Sequence, residues 1–145
     1  MNAFLFDKHL SELDLDLDKL TALEGERQAR RLIMIPSESS APLAVRELLA
    51  SPYTNIYAEG YPRAETRTMS QAEILDYACQ LGTYRRHSDL RYYKGVEYVD
   101  IVEALARRRA AELFAANSLD ADDLWVNVQP LSGAPANNAV YTALI

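Results

Sequence analysis

The stretch WVNVQPLSGAPANN, residues 125–138, passes from an alternating apolar segment through Pro130 and a small polar turn into a run with helical spacing. From its residues alone it is a strand, a turn at Ser132-Gly133, and a helix beginning at Ala134. Gly133 permits close approach to the backbone. The first amides of the helix point into the turn with the positive end of the helix dipole, and Ser132 adds a hydroxyl. A turn of this kind cradles an anion in some α/β proteins and only starts a helix in others, so both readings stay open at this point.

Upstream, the chain reads as helices joined by tyrosine-bearing loops. Residues 7–18 alternate, but Asp is a poor strand residue and the segment leads into helix formers, so a helix is expected from Asp18 through Arg31 with Leu20, Leu23 and Leu32 as its apolar contacts. The run 32–36 is a brief extended piece ended by Pro36. A second helix follows, capped by Ser39 or Ser40, with Pro42 in its first turn and Val45, Leu48 and Leu49 facing inward. Residues 52–63 read as a loop. Next comes a helix with a capping box of Ser70 and Glu73, a buried stripe of Ile74, Leu75, Ala78 and Leu81, and a stop at Gly82. Residues 89–100 form a second tyrosine-bearing loop. The stretch 97–116 is a long helix in which Val99, Val102, Ala106, Ala110 and Leu113 recur at helical spacing and Glu103 stands four residues before Arg107.

Composition sets the bounds. The 145 residues are 49% hydrophobic and 25% charged, with 15 basic and 21 acidic side chains and a net charge of −6, as in an ordinary globular domain or part of one. That balance argues against non-specific nucleic-acid binding. The short basic clusters at 30–31, 85–86 and 107–109 read as solvated faces. Cys79 is the single cysteine, which rules out an internal disulfide, suits the reducing cytoplasm, and is expected to be buried as a small apolar residue. No stretch approaches the roughly 18 apolar residues of a membrane span, and the N-terminus lacks the pattern of a secretory signal.

Four blocks taken together resemble one family: IPSESSAPLAVRELLAS (35–51), TNIYAEGYP (54–62), RYYKGVEYVDIVEALARRRAAELF (91–114) and VNVQPLSGAPANNAVYTALI (126–145). They cover about half of the chain, in an order similar to that of serine hydroxymethyltransferases, and the YAEGYP and NVQPxSGxxAN strings are highly specific to that family. The resemblance implies an α/β protein. An N-terminal helical arm (1–56) is expected, then active-site loops with an inserted helical segment (57–96, insert 63–91). Residues 97–145 are expected to begin a fold-type I, aspartate-aminotransferase-like large domain that is incomplete in this chain.

The resemblance also implies site roles. Ser132, Gly133 and the amide of Ala134 match the turn that holds the phosphate of pyridoxal 5'-phosphate; many members carry a second serine where this chain has Ala134. Ser37 matches the serine near the substrate carboxylate. Tyr57 and Glu59 match the tyrosine and glutamate that reach the substrate, with Glu59 the proton handler at the serine hydroxyl. Tyr92 and Tyr93 match the paired tyrosines near folate and the amino acid. These residue types suit the chemistry: cleaving the Cα–Cβ bond of serine requires a proton to move at its hydroxyl, and tyrosines offer hydroxyl donors on flat apolar bodies. No metal ligand is implied. Serine, glycine and tetrahydrofolate are the implied small molecules, and a homo-oligomer (dimer or tetramer), or a complex with the missing C-terminal portion, the implied assembly.

Three departures stand against the family pattern. The 29 residues between Pro62 and Tyr92 replace a connection of only a few, and are expected to separate Glu59 from the tyrosine pair. SES follows Pro36 in place of the usual SEN. The chain also stops before the family's Schiff-base lysine, and Lys8, Lys19 and Lys94 are in other contexts. The expectation is therefore the N-terminal portion of a hydroxymethyltransferase, inactive alone. The alternatives are a related aldolase or transaldolase whose insert has changed the acceptor, and a non-catalytic subunit that completes another chain's site.

Overall fold

A computed structural model describes residues 6–88 and 90–145; the sequence readings at 1–5 and at position 89 lie outside the described residues. The chain divides into two compact units, one ending at Arg46 and one spanning Glu47–Ile145. Every described element is helical.

In the first unit α1 (Leu10–Leu13) leads directly into α2 (Leu15–Ala29). The alternating aspartates serve as helix-starting residues: Asp14 caps α2 by accepting from the Leu17 amide at 3.0 Å, and Asp16 and Asp18 sit in its first turn, where the helix dipole favours acids. Arg27 grips Glu24 through two 2.7 Å bonds. With Gln28 it holds that carboxyl down at about 2. The expected apolar contacts Leu20, Leu23 and Leu32 are exposed, a correction: this unit contains no buried residue among those described.

The division falls within α3 (Leu43–Leu49). Its Val45, Leu48 and Leu49 are exposed rather than inward-facing. The second unit is organised around α6 (Glu97–Phe114). Against it pack the short 3₁₀ turns Ala64–Arg67 and Ala121–Asp123, α4 (Gln71–Ile74) and α5 (Tyr77–His87). The core is small: Ile74, Ile101 and Ala104, flanked by Met69 and Leu105. Ile74 is the keystone, at 1% exposure. Ile74→Ala is therefore expected to destabilise this unit by about 2–3 kcal/mol, measured as a shift of the urea midpoint at constant slope, because so thin a core refills little of the cavity.

Several sequence expectations change here. The capping box of Ser70 and Glu73 forms, with the Glu73 carboxylate accepting from the Ser70 amide at 2.8 Å. The helix behind it breaks at Leu75–Asp76, because the Asp76 side chain caps a new helix by accepting from the Cys79 amide at 3.0 Å. That helix runs through Gly82 and ends at Ser88 (φ 61°). Tyr84 explains the extra turn: its hydroxyl accepts from the Gly95 and Val96 amides at 3.2 and 3.4 Å. Cys79 and Ala78 lie on the outer side of α5 and are exposed, not buried. On α6 the buried face is Ile101, Glu103, Ala104 and Ala111, whereas Val102 and Leu113 face outward.

The strand expected at 124–128 is a correction too. Residues 124–130 are extended, but no strand occurs among the described residues, since a ladder needs a second segment and none lies alongside. The α/β layer is thus not seen in these residues; the observed architecture is helical. The extended segment ends in α7 (Gly133–Leu144), whose residues are not buried.

Candidate functional site

The loop after the 3₁₀ turn Pro52–Asn55 carries Tyr57 and Glu59, and the loop before α6 carries Tyr92 and Tyr93. The structure brings the four together. The Tyr92 amide donates to the Glu59 carbonyl at 3.0 Å. The Tyr57 and Tyr93 rings stand 5.5 Å apart, and the Tyr92 and Tyr93 rings meet edge-on at 5.0 Å. The intervening segment does not separate Glu59 from the tyrosines, contrary to expectation, because the chain leaves and returns at neighbouring points. The Glu59 side chain and the rings of Tyr57 (78% exposed) and Tyr92 (76%) face outward, where a ligand or a second polypeptide can reach them.

What joins the loops is a buried arginine. The Arg91 side chain has no exposed surface. Its Nε donates to Asp100, its Nη2 to Glu103 at 2.7 Å, and its Nη1 to the carbonyls of Ala58 (2.5 Å) and Gly60 (3.0 Å). Burial works against its charge, but the hydrogen-bonded carboxylates of Asp100 and Glu103 outweigh that and push its pKa up. Glu103 therefore faces Arg91, not Arg107, whose Nε donates instead to the Val126 carbonyl at 3.0 Å. Gln129 extends the network, donating to the Gly60 carbonyl at 2.6 Å and to Glu103 at 3.0 and 3.2 Å. One set of polar contacts thus reaches from the Glu59 loop across α6 to the segment entering the Ser132-Gly133 turn.

Gly60 is needed at this junction. Its φ is +106°, and a Cβ there would lie 3.1 Å from the Arg91 Cα, which is backbone and cannot swing away. Gly60→Ala is expected to cost at least about 1–3 kcal/mol and to loosen the Glu59 loop, seen as faster amide exchange at Tyr92.

The turn at the head of α7 has the features of an anion cradle. Ser132 is the N-cap, yet its hydroxyl makes no capping bond. Gly133 has nothing within 4 Å of where a Cβ would stand. The amides of Gly133 and Ala134 belong to the first turn, which has no intrahelical acceptors. Ser37 belongs to the first unit, in an exposed turn closed by the Glu38 amide on the Ile35 carbonyl at 3.0 Å. It borders an open cavity of about 620 Å³ that also meets Arg27, Arg31, Ile33 and Ser40.

Sequence reading missed Arg91, Asp100, Glu103 and Gln129 as parts of the site. A signal for them was present: Glu103 sits between Ile101 and Ala104 on the face of α6 that packs inward, and a carboxylate on such a face requires a buried cationic partner.

A family model described as serine hydroxymethyltransferase matches residues 10–90 and 86–145. The chain is 34% identical over 145 residues to the mitochondrial serine hydroxymethyltransferase of Kluyveromyces lactis, which covers 99% of the chain and 23% of that protein. It is 41% identical over 145 residues to the serine hydroxymethyltransferase of Kocuria rhizophila, covering 100% of the chain and 26% of that protein. With the Caenorhabditis elegans enzyme of the same name it is 37% identical over 137 residues, or 94% of the chain and 21% of that protein. The chain thus spans about a quarter of the length of these relatives. No solved structure matches it.

Proposed function

The chain belongs to the serine hydroxymethyltransferase family, and from that premise we propose that it is the N-terminal portion of a pyridoxal-phosphate-dependent enzyme that moves a one-carbon unit between serine and tetrahydrofolate. The observation that carries the reading is the tie between the Tyr92 amide and the Glu59 carbonyl, with the Tyr93 ring against those of Tyr57 and Tyr92 beside it. It sets one carboxylate and three phenols at a single exposed locus, the set needed to move a proton at a substrate hydroxyl next to a flat heteroaromatic ring.

The residues present fit the cofactor's phosphate: an uncommitted Ser132 hydroxyl, an unobstructed Gly133 and the amides of Gly133 and Ala134. When bound, pyridoxal phosphate supplies the electron sink. In this reading Glu59 holds and moves the proton at the serine hydroxyl oxygen. Tyr57, Tyr92 and Tyr93 line the folate slot and donate hydroxyl hydrogen bonds. Residues 97–145 begin the α/β large domain, in which 124–128 pairs as a strand. In this reading Lys8, Lys19 and Lys94 take no part in the reaction, and the working assembly is an oligomer or a complex.

The deciding assay gives the intact enzyme serine and pyridoxal phosphate with and without tetrahydrofolate. Glycine formation that depends on folate by at least tenfold is expected; equal formation without folate would return the reading to an aldolase.

A further inference from the structure

Arg63, Arg91 and Arg108 each grip a carboxylate. Arg67 and Arg107 have no such partner among the described residues, although the chain carries 21 acidic side chains against 15 basic ones. Each is tied instead to a backbone carbonyl, Arg67 through Nη1 to Asp122 and Arg107 through Nε to Val126 at 3.0 Å. A carbonyl fixes a guanidinium in place without supplying a countercharge. Both side chains are half-buried, and both line one open cavity of about 340 Å³ in the second unit, the size of a small-molecule site. Neither Glu59 nor the tyrosines at 57, 92 and 93 line it.

The remaining walls suit a flat anion. The Arg67 guanidinium stands 4.5 Å over the Trp125 ring, and that ring is 79% exposed, so its second face is open. The Tyr61 hydroxyl accepts from the Asn127 side-chain amide at 3.3 Å and keeps its own proton to donate. Arg107 uses Nε on Val126, which leaves its Nη groups as donors. Two cations on one pocket repel each other, and an anion there removes that cost. Donors with no acid beside them, next to an open indole face, select an oxyanion attached to a ring.

We propose that this cavity binds a small molecule carrying a phosphate or carboxylate on a flat ring. The oxyanion meets Arg67, Arg107 and Tyr61, and the ring stacks on Trp125. This is a second site, separate from the serine and folate locus and independent of the reaction assigned there.

The test is titration calorimetry on the intact protein with AMP and with anthranilate, each with and without tetrahydrofolate. Saturable binding with a Kd below about 1 mM is expected for at least one probe, and which one binds tells phosphate from carboxylate. For that probe, the ring alone (adenosine or aniline) and the anion alone (inorganic phosphate or acetate) should each bind at least about tenfold more weakly. Trp125→Leu and Arg67→Gln should each weaken the probe by about tenfold. Where Arg67→Gln does not fold, Trp125→Leu decides, since it alters an exposed ring. The proposal is overturned if neither probe binds, if the anion alone binds as tightly as the probe, or if Trp125→Leu leaves the affinity unchanged. Displacement of the probe by tetrahydrofolate would place it in the folate slot and overturn the proposal as well.

Discussion

Glu59→Gln in the intact enzyme is expected to lower turnover of serine with tetrahydrofolate by a factor on the order of 10²–10⁴, the usual worth of a positioned acid–base group. The substitution is a clean probe because of how the residue is held. The backbone carbonyl of Glu59, not its carboxylate, accepts from the Tyr92 amide, and Arg91 grips the carbonyls on either side at Ala58 and Gly60. Gln has the same shape and keeps every one of those contacts, so loop position, folding and the turn at Ser132 should be unaffected; only the capacity to take or give a proton is lost. Cofactor colour is expected to match the wild type, and the urea midpoint should shift by no more than an exposed side chain allows, about 0.5 kcal/mol. Turnover within twofold of wild type, with cofactor colour retained, would show Glu59 to be a solvated loop carboxylate and would remove the proton handler from the proposed mechanism.

How much of this was legible in the sequence depends on the range of the forces involved. Features set within a few residues came through: the capping box of Ser70 and Glu73, the length of α6, and the small-residue turn into α7. Features set by distant partners did not. The apolar spacing of α6 indicates a helix but not which of its faces is covered, and the covered one is chosen by Ile74, 27 positions before Ile101. Asp76 reads as one more helical residue until its side chain is seen capping a new helix. The extended segment 124–130 carries a strand's alternation, but a strand is a relation between two segments, and the second is not among the described residues. The candidate residues Tyr57, Glu59, Tyr92 and Tyr93 stand in family strings, and the contacts that join their two loops are hidden by a 29-residue excursion that linear distance counts and space does not.

Arg91→Met should be the most damaging single change to the second unit, lowering its stability by about 3–5 kcal/mol, the range for removing one partner of a buried ion pair. The magnitude follows from what is left behind. Asp100 and Glu103 lose the cation that offsets their desolvation, and the Ala58 and Gly60 carbonyls lose a donor. Gln129 still reaches Gly60 and Glu103, but a neutral amide cannot balance a buried carboxylate. Arg91→Lys should recover little of the loss, since one ammonium cannot present donors to four acceptors spread around a planar fork. Adding Glu103→Met to Arg91→Met should recover 1 kcal/mol or about that, because an apolar pair costs less than a stranded charge. This non-additivity separates a charge effect from simple loss of packing. The functional consequence travels the same way. With the clamp gone, the Glu59 loop and the tyrosine loop keep the Tyr92 amide bond and the Tyr57–Tyr93 ring contact but lose the buried ionic tie, so kcat should fall even under conditions where the protein remains folded. Urea denaturation of the single and double variants measures the first effect and steady-state turnover the second. A stability loss under 1 kcal/mol for Arg91→Met would show that the buried arginine is a passenger, and the joining of the two site loops would then need another cause.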